Sequence, residues 1–365
     1  MLLLLILILL IIYALYRYFK TIKPQVHVNP NSPLFEIAGK MRSLKKGYKP
    51  TPWLIEGNSQ TIYGMRFRKK HLNYRREIFT YSDGGQCALD FYDPINNDDI
   101  QSVPMLLIIH TLGGGTREPC SNNLAEVARK KGWRAFIFNN RGCSGVPFTS
   151  RKFYNSLDIT DIQEVIKYIK EKYNPPYLFV TGFSLGGYIA LEYCTRDSDG
   201  VDAFAVVSHT YNGNAANEQL KKPLQRKLYL PIMMEKCTHI LSKNKFVNYP
   251  EALKAKTLDE FDRLYTCKEY DYVPEQKEYY DMLRIYQKIQ NLRKPTLILG
   301  ADNDPFTKKE YQPTKEAEES CNCIFVHVSE GGHVSFPTGM SGNQSYIEDV
   351  VLDFFDLFIT KNAFL

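Results

Sequence analysis

The chain has 365 residues, of which 44% are hydrophobic and 24% charged, with a formal net charge of +6. That is long enough to bury a sizeable core and too apolar for a disordered or fibrous protein, while basic residues spread along the chain rather than striped argue against nucleic-acid binding. The eight cysteines include no CxxC pair, and Cys321-Asn-Cys323 is too tight for zinc ligands, so the sequence predicts free thiols in a reducing compartment and calls for neither a metal nor another cofactor.

The chain opens on MLLLLILILLIIYALY, followed by Arg17, Lys20 and Lys23. A cleaved signal peptide needs a basic start and a small-residue cleavage site, and neither is present. Residues 1–20 are therefore expected to form an uncleaved membrane anchor, making the chain a single-pass protein, placed at the endoplasmic reticulum. Positive charge after the span puts the body on the cytoplasmic side. Residues 21–74, rich in Pro, Lys and Asn, read as a tether leading into a domain at 75–365.

Within that domain EIFTYSDGGQCALDFY predicts two strands around an Asp-Gly-Gly turn. MLLIIH (105–110) is continuously apolar and stops at LGGGT, as a strand buried on both faces would. NLAEVARKKG has helical spacing and ends at Gly132, a C-cap residue. The unit then repeats. RAFIFNN (134–140), YLFVTGF, AFAVVSH (203–209), PTLILGA (295–301) and CIFVHV (323–328) read as strands. SLDITDIQEVIKYIKEKY, GYIALEYCTR and SYIEDVVLDFFDLFIT read as helices. Alternation of this kind predicts an α/β fold: a mostly parallel sheet with helices on both faces. The stretch 211–294 interrupts it with helical patterns rich in Lys, Tyr and Leu, and is expected to be an insertion above the strand ends, where a lid belongs.

GFSLG (182–186) joins a strand to a helix. A G-x-S-x-G turn in that position is a nucleophile elbow, with glycines where backbones must pass and a serine lifted to the helix N-terminus. Ser184 needs a histidine to take its proton and a carboxylate to hold that histidine, in the chain order Ser, Asp or Glu, His. Asp304, in GADNDPF, and His333, in EGGHVSF, follow strands in that order, with Asp302 a rival two residues upstream. His110 and His209 end strands and read as pocket-shaping or structural. An oxyanion hole would take one amide from Leu185, the residue after the nucleophile, and one from the HTLGGG loop, at Leu112.

The segments PWLIEGNSQTIYG (52–64), YRREIFTYSDGGQCALDF (74–91), HTLGGGTRE, FNNRGCSG (138–145), GFSLGG, TLDEFDRLYT (257–266), ADNDPF and GGHVSF resemble the membrane-anchored α/β-hydrolase domain proteins. That family includes yeast medium-chain ethyl-ester synthase/esterases, a yeast monoacylglycerol lipase and animal phospholipases acting on medium-chain lipids. The resemblance covers nearly everything after the anchor. It implies an α/β-hydrolase fold and a serine esterase or lipase that cleaves lipid esters, acylglycerols or phospholipids, through an acyl-enzyme, with transfer to alcohols using the same Ser184. Two positions depart from the family pattern: Thr111 stands where a glycine usually follows the oxyanion-loop histidine, and Asp302-Asn303-Asp304-Pro305 replaces an adjacent Asp-Asp-Pro. A thioesterase or peptidase with the same three residues, and an inactive membrane-tethered binding protein, are the competing readings.

Overall fold

The computed structural model describes residues 2–68, 72–95, 102–270 and 275–361. Residues 69–71 of the expected tether, 271–274 of the insertion and the last four of the domain lie outside them, as do Met1 and 96–101. Nine strands form one sheet: β1 (Gln25–His27), β2 (Arg75–Thr80), β3 (Gln86–Tyr92), β4 (Met105–Ile109), β5 (Arg134–Asn139), β6 (Leu178–Phe183), β7 (Ala203–Val207), β8 (Thr296–Ala301) and β9 (Cys323–Val328). Their order is β1-β9-β8-β7-β6-β4-β5-β3-β2. From β5 through β4, β6, β7 and β8 to β9 all neighbours are parallel. The antiparallel pairs β1–β9, β3–β5 and β2–β3 flank this block.

The parallel strands are buried on both faces, which is why they read as mostly apolar runs. In β4, Leu107 and Ile109 enter one core with Phe136, Val180, Val206 and Phe325, covered by the helices Thr160–Tyr173 and Leu185–Arg196. The alternate residues Leu106 and Ile108 enter a second core on the opposite face, covered by the helices Pro119–Lys130 and Tyr346–Lys361. The period of two along each strand makes this division.

Much of the stretch 21–74 belongs to the body of the fold, with Leu34, Ile37, Met41 and Leu44 buried in the second core. The three residues of β1 pair with β9, Val26 opposite Val326. The helix Gly57–Arg66 packs beside the loops that follow β8 and β9. The insertion between β7 and β8 carries the helices Gly213–Lys221, Leu230–Ser242 and Gln276–Met282 with shorter turns between them.

The N-terminal expectation needs correction. Among the described residues no helix is long and apolar enough to cross a membrane, so the structure contradicts the single-pass anchor at 1–20, and the membrane location drawn from it. The helix Leu2–Phe19 has 18 residues, about 27 Å at 1.5 Å per residue, against a hydrocarbon core of about 30 Å. Its last turn is also held by the body of the protein. Arg17 is only 3% exposed, pairs with Glu330 at 2.8 Å, and donates to the carbonyls of Pro52 and Leu54 at 3.3 and 3.1 Å.

Candidate active site

Three loops at the C-terminal ends of parallel strands meet above the sheet, where ligands of open α/β sheets bind. Ser184 follows β6 directly, with φ of +52°, a region costing a non-glycine residue about 1–3 kcal/mol. Its amide is held by the carbonyl of Val207 at 3.0 Å, and its own carbonyl accepts from Gly187 at 2.9 Å. The flanking glycines are required by close approach. A Cβ on Gly182 would lie 2.3 Å from the carbonyl oxygen of Gly186, and one on Gly186 would lie 2.4 Å from that of Ile109. The turn therefore packs backbone against backbone with no space for a methyl group.

His333 reaches this serine from the loop after β9. Its Nε2 lies 2.7 Å from Ser184 Oγ, and its Nδ1 lies 2.9 Å from Asp304 Oδ2. This geometry suits an Nδ1–H donated to the carboxylate and a bare Nε2 accepting the serine hydroxyl. The His333 amide donates to Thr61 Oγ1 at 2.8 Å, and the edge of Phe306 packs on the ring at 4.4 Å between centroids. Asp304 also accepts from the Phe306 amide at 2.8 Å.

Asp302, two residues away, is engaged elsewhere. It bonds His327 Nδ1 at 2.7 Å, Lys309 at 3.0 Å and Gln312 at 2.9 Å. His209 is fully buried, edge-on to Tyr188 and Tyr211, and neither ring nitrogen has a hydrogen-bond partner among the described residues. Burial, with a smaller contribution from His333, pushes it down to about 3, so it is neutral.

The loop after β4 is tied at both ends. His110 donates from Nδ1 to the Thr111 carbonyl at 2.6 Å, and its Nε2 accepts from the Asn140 amide at 3.2 Å. The Gly113 amide donates to Tyr154 Oη at 2.8 Å, and the Thr116 amide to Asn139 Oδ1 at 2.9 Å. Thr111 does not hang free. Its amide donates to Glu118 Oε2 at 3.0 Å and its hydroxyl to the other carboxylate oxygen. Lys236, from the insertion, pairs with Glu118 at 3.3 Å and donates to the Leu112 carbonyl at 3.4 Å. Burial works against the charged carboxylate, but Lys236 and the Thr111 bonds outweigh it and hold Glu118 below its usual range. Among the described residues the amides of Leu112 and Leu185 have no acceptor.

Two chambers meet at this point. One, of about 670 Å³, runs out past the glycine loop to Arg66, Arg76 and Arg117; the other, of about 160 Å³, lies beneath the insertion. Ser184, His333, Leu112, Met233 and Phe306 line both. The structure thus brings Ser184, His333, Asp304, Leu112 and Leu185 together and leaves Asp302 outside. Reading the sequence missed Thr61, Glu118, Tyr154 and Lys236. Thr61 and Glu118 fall inside the quoted segments QTIYG and GGGTRE, where only their spacing from the loops they brace could have signalled a role.

The sequence profile of the alpha/beta hydrolase fold matches residues 104–339. The human protein named phospholipase ABHD3 is 28% identical over 354 residues, covering 93% of this chain and 86% of that one. The monoacylglycerol lipase of Saccharomyces cerevisiae is 25% identical over 351 residues, covering 81% and 77%. A solved structure, that of DcsB with its substrate analogue, superimposes with a TM-score of 0.51 at 13% identity, covering 78% of this chain and 98% of that one. By its sheet, its matched profile and these relatives, the chain belongs to the α/β-hydrolase fold family, among its lipases and esterases.

Proposed function

We propose that this protein is a serine hydrolase that cleaves carboxylic esters of lipids through an acyl-enzyme. The observation that carries the reading is the line of contacts from Ser184 Oγ to His333 Nε2 at 2.7 Å and from His333 Nδ1 to Asp304 at 2.9 Å, set where two chambers join. Ser184 attacks the ester carbonyl as its proton passes to His333 Nε2. The imidazolium is stabilised by Asp304, and the oxyanion by the amides of Leu112 and Leu185. Collapse of the tetrahedral adduct breaks the ester C–O bond, and His333 returns the proton to the departing alkoxide. Water, deprotonated by the same histidine, then attacks the acyl-serine and releases the acid. An alcohol in the place of that water yields a new ester, so acyl transfer needs no further residue.

The substrate class rests on the relatives, whose names are phospholipase and monoacylglycerol lipase, and on the apolar walls of the smaller chamber. The insertion 211–294 acts in this reading as a lid over both chambers. Thr111 is compatible with an active hydrolase, since Glu118 occupies both its amide and its hydroxyl and the Leu112 amide stays unoccupied.

A serine-directed fluorophosphonate tests the reading. The native chain should label and Ser184→Ala should not, while His333→Ala and Asp304→Asn label far more slowly. Labelling that persists in Ser184→Ala would sink it.

A further inference from the structure

The smaller chamber has one wall that does not suit a hydrocarbon. Leu185, Leu220, Leu258 and Leu283 make it apolar, yet Asp262, Thr266 and Tyr280 open into it as well. These three line the smaller chamber and not the larger one, whereas Ser184 lines both. Asp262 begins a π-helical turn, Asp262–Thr266, a distortion that recurs at functional sites because it re-aims side chains. Its carboxylate accepts from Thr266 Oγ1 at 2.7 Å and from Tyr280 Oη at 2.9 Å. Among the described residues it has no ion pair. A carboxylate offers about four lone-pair sites, so two are left for water in the chamber.

We propose that Asp262 is the residue that sets acyl-chain length. The smaller chamber takes the acyl chain of the ester bound at Ser184, and the carboxyl wall stops its growing end. The proposal deepens the acyl-ester reading above and rests on it. In an apolar pocket each further methylene improves kcat/KM about four-fold. Once the terminal methyl meets Asp262 the sign reverses, because hydrocarbon displaces the water and supplies no donor in its place. The chamber, at about 160 Å³, holds on the order of five water-sized groups, so the turnover comes at short chain length.

The test uses the full chain and p-nitrophenyl esters from acetate to palmitate, with kcat/KM plotted against chain length. The native profile should rise and then fall. In Asp262→Leu the falling limb should move at least two carbons outward, raising the ratio of long-chain to short-chain kcat/KM about ten-fold, mainly through KM, with acetate hydrolysis unchanged. Asp262→Asn keeps the shape of the wall and removes its charge. It should shift the same ratio about three-fold, which covers the case in which the leucine variant does not fold.

A second arm uses acidity. Burial pushes Asp262 up to about 6, against the hydrogen bonds from Thr266 and Tyr280, with Asp259 adding to the rise. The other titratable groups near it are the thiols of Cys237 and Cys267, both pushed up by burial and neutral throughout this range. The long-to-short ratio in the native chain should therefore rise as pH falls from 8 to 5, and in Asp262→Asn it should stay flat. Taking the ratio on one enzyme cancels pH effects common to both substrates. An unchanged profile in both variants, with acetate hydrolysis intact, overturns the proposal. Absence of Ser184-dependent hydrolysis in the native chain would instead remove the acyl-ester reading, and this inference with it.

Discussion

Thr111 shows how one side chain can be accommodated by two others. A threonine beside the oxyanion amide would disturb the loop if its hydroxyl sought a partner in the pocket. Here Glu118 supplies that partner, and Lys236 neutralises Glu118 from the insertion. Removing a single oxyanion donor costs about 3 kcal/mol in the transition state. Loosening the support should cost part of that. Glu118→Gln is expected to lower kcat on a short-chain ester about ten-fold with KM nearly constant, and Lys236→Met about three-fold. A change confined to KM would place these residues in substrate binding instead. At the same scale, the sequence favours Asp304 over its rival Asp302 only by its place directly before Pro305. The contacts distinguish them: Asp302 faces His327, and Asp304 faces His333. Ester hydrolysis should survive Asp302→Asn within a few-fold and fall by orders of magnitude in Asp304→Asn.

At the level of elements, legibility followed burial. β4 to β9 are mostly apolar because both of their faces are covered, and that pattern is plain in MLLII and in CIFVHV. β1 is three residues, QVH, whose side chains are mostly exposed, and nothing in it signals an edge strand. The helix Gly57–Arg66 was equally hidden. Gly, Asn, Ser and Thr fill its first turns and are weak helix formers, and its start is fixed by a capping box between Glu56 and Ser59. Yet this helix holds the histidine loop. Thr61 Oγ1 accepts the His333 amide, and Ser335 Oγ donates to the Gln60 carbonyl at 2.7 Å. Thr61→Val keeps the shape and strands a buried N–H, a loss of about 1–3 kcal/mol. Urea denaturation should show that loss and ester kinetics a several-fold drop in kcat, with Thr61→Ser close to native in both. Full activity in the valine variant would mean that the histidine loop holds its position without this bond.

Over the whole molecule, the amino-terminal run was misread because hydropathy alone does not show which flanking charge the fold buries. Arg17 looked like a flanking charge, and the structure uses it as a buried tie to Glu330, three residues before His333. Buried charge in the insertion carries a global consequence of the opposite kind. Asp262 is held at about 6 in the folded protein, chiefly by burial, well above an ordinary carboxylate. The folded state therefore binds this proton more tightly than the unfolded state does. Between about pH 4 and 6 unfolding releases it, so this group's contribution to stability falls as pH rises through that window. Above pH 6 the penalty is complete, at ~3 kcal/mol by the size of the shift. Burial raises Asp349 and Asp356 as well. The difference between native and Asp262→Asn isolates the one site. In urea titrations the variant should match the native chain near pH 4 and exceed it by about 3 kcal/mol at pH 8, with the gap opening between pH 4 and 6. A gap independent of pH would mean that the substitution acts through packing rather than through the proton.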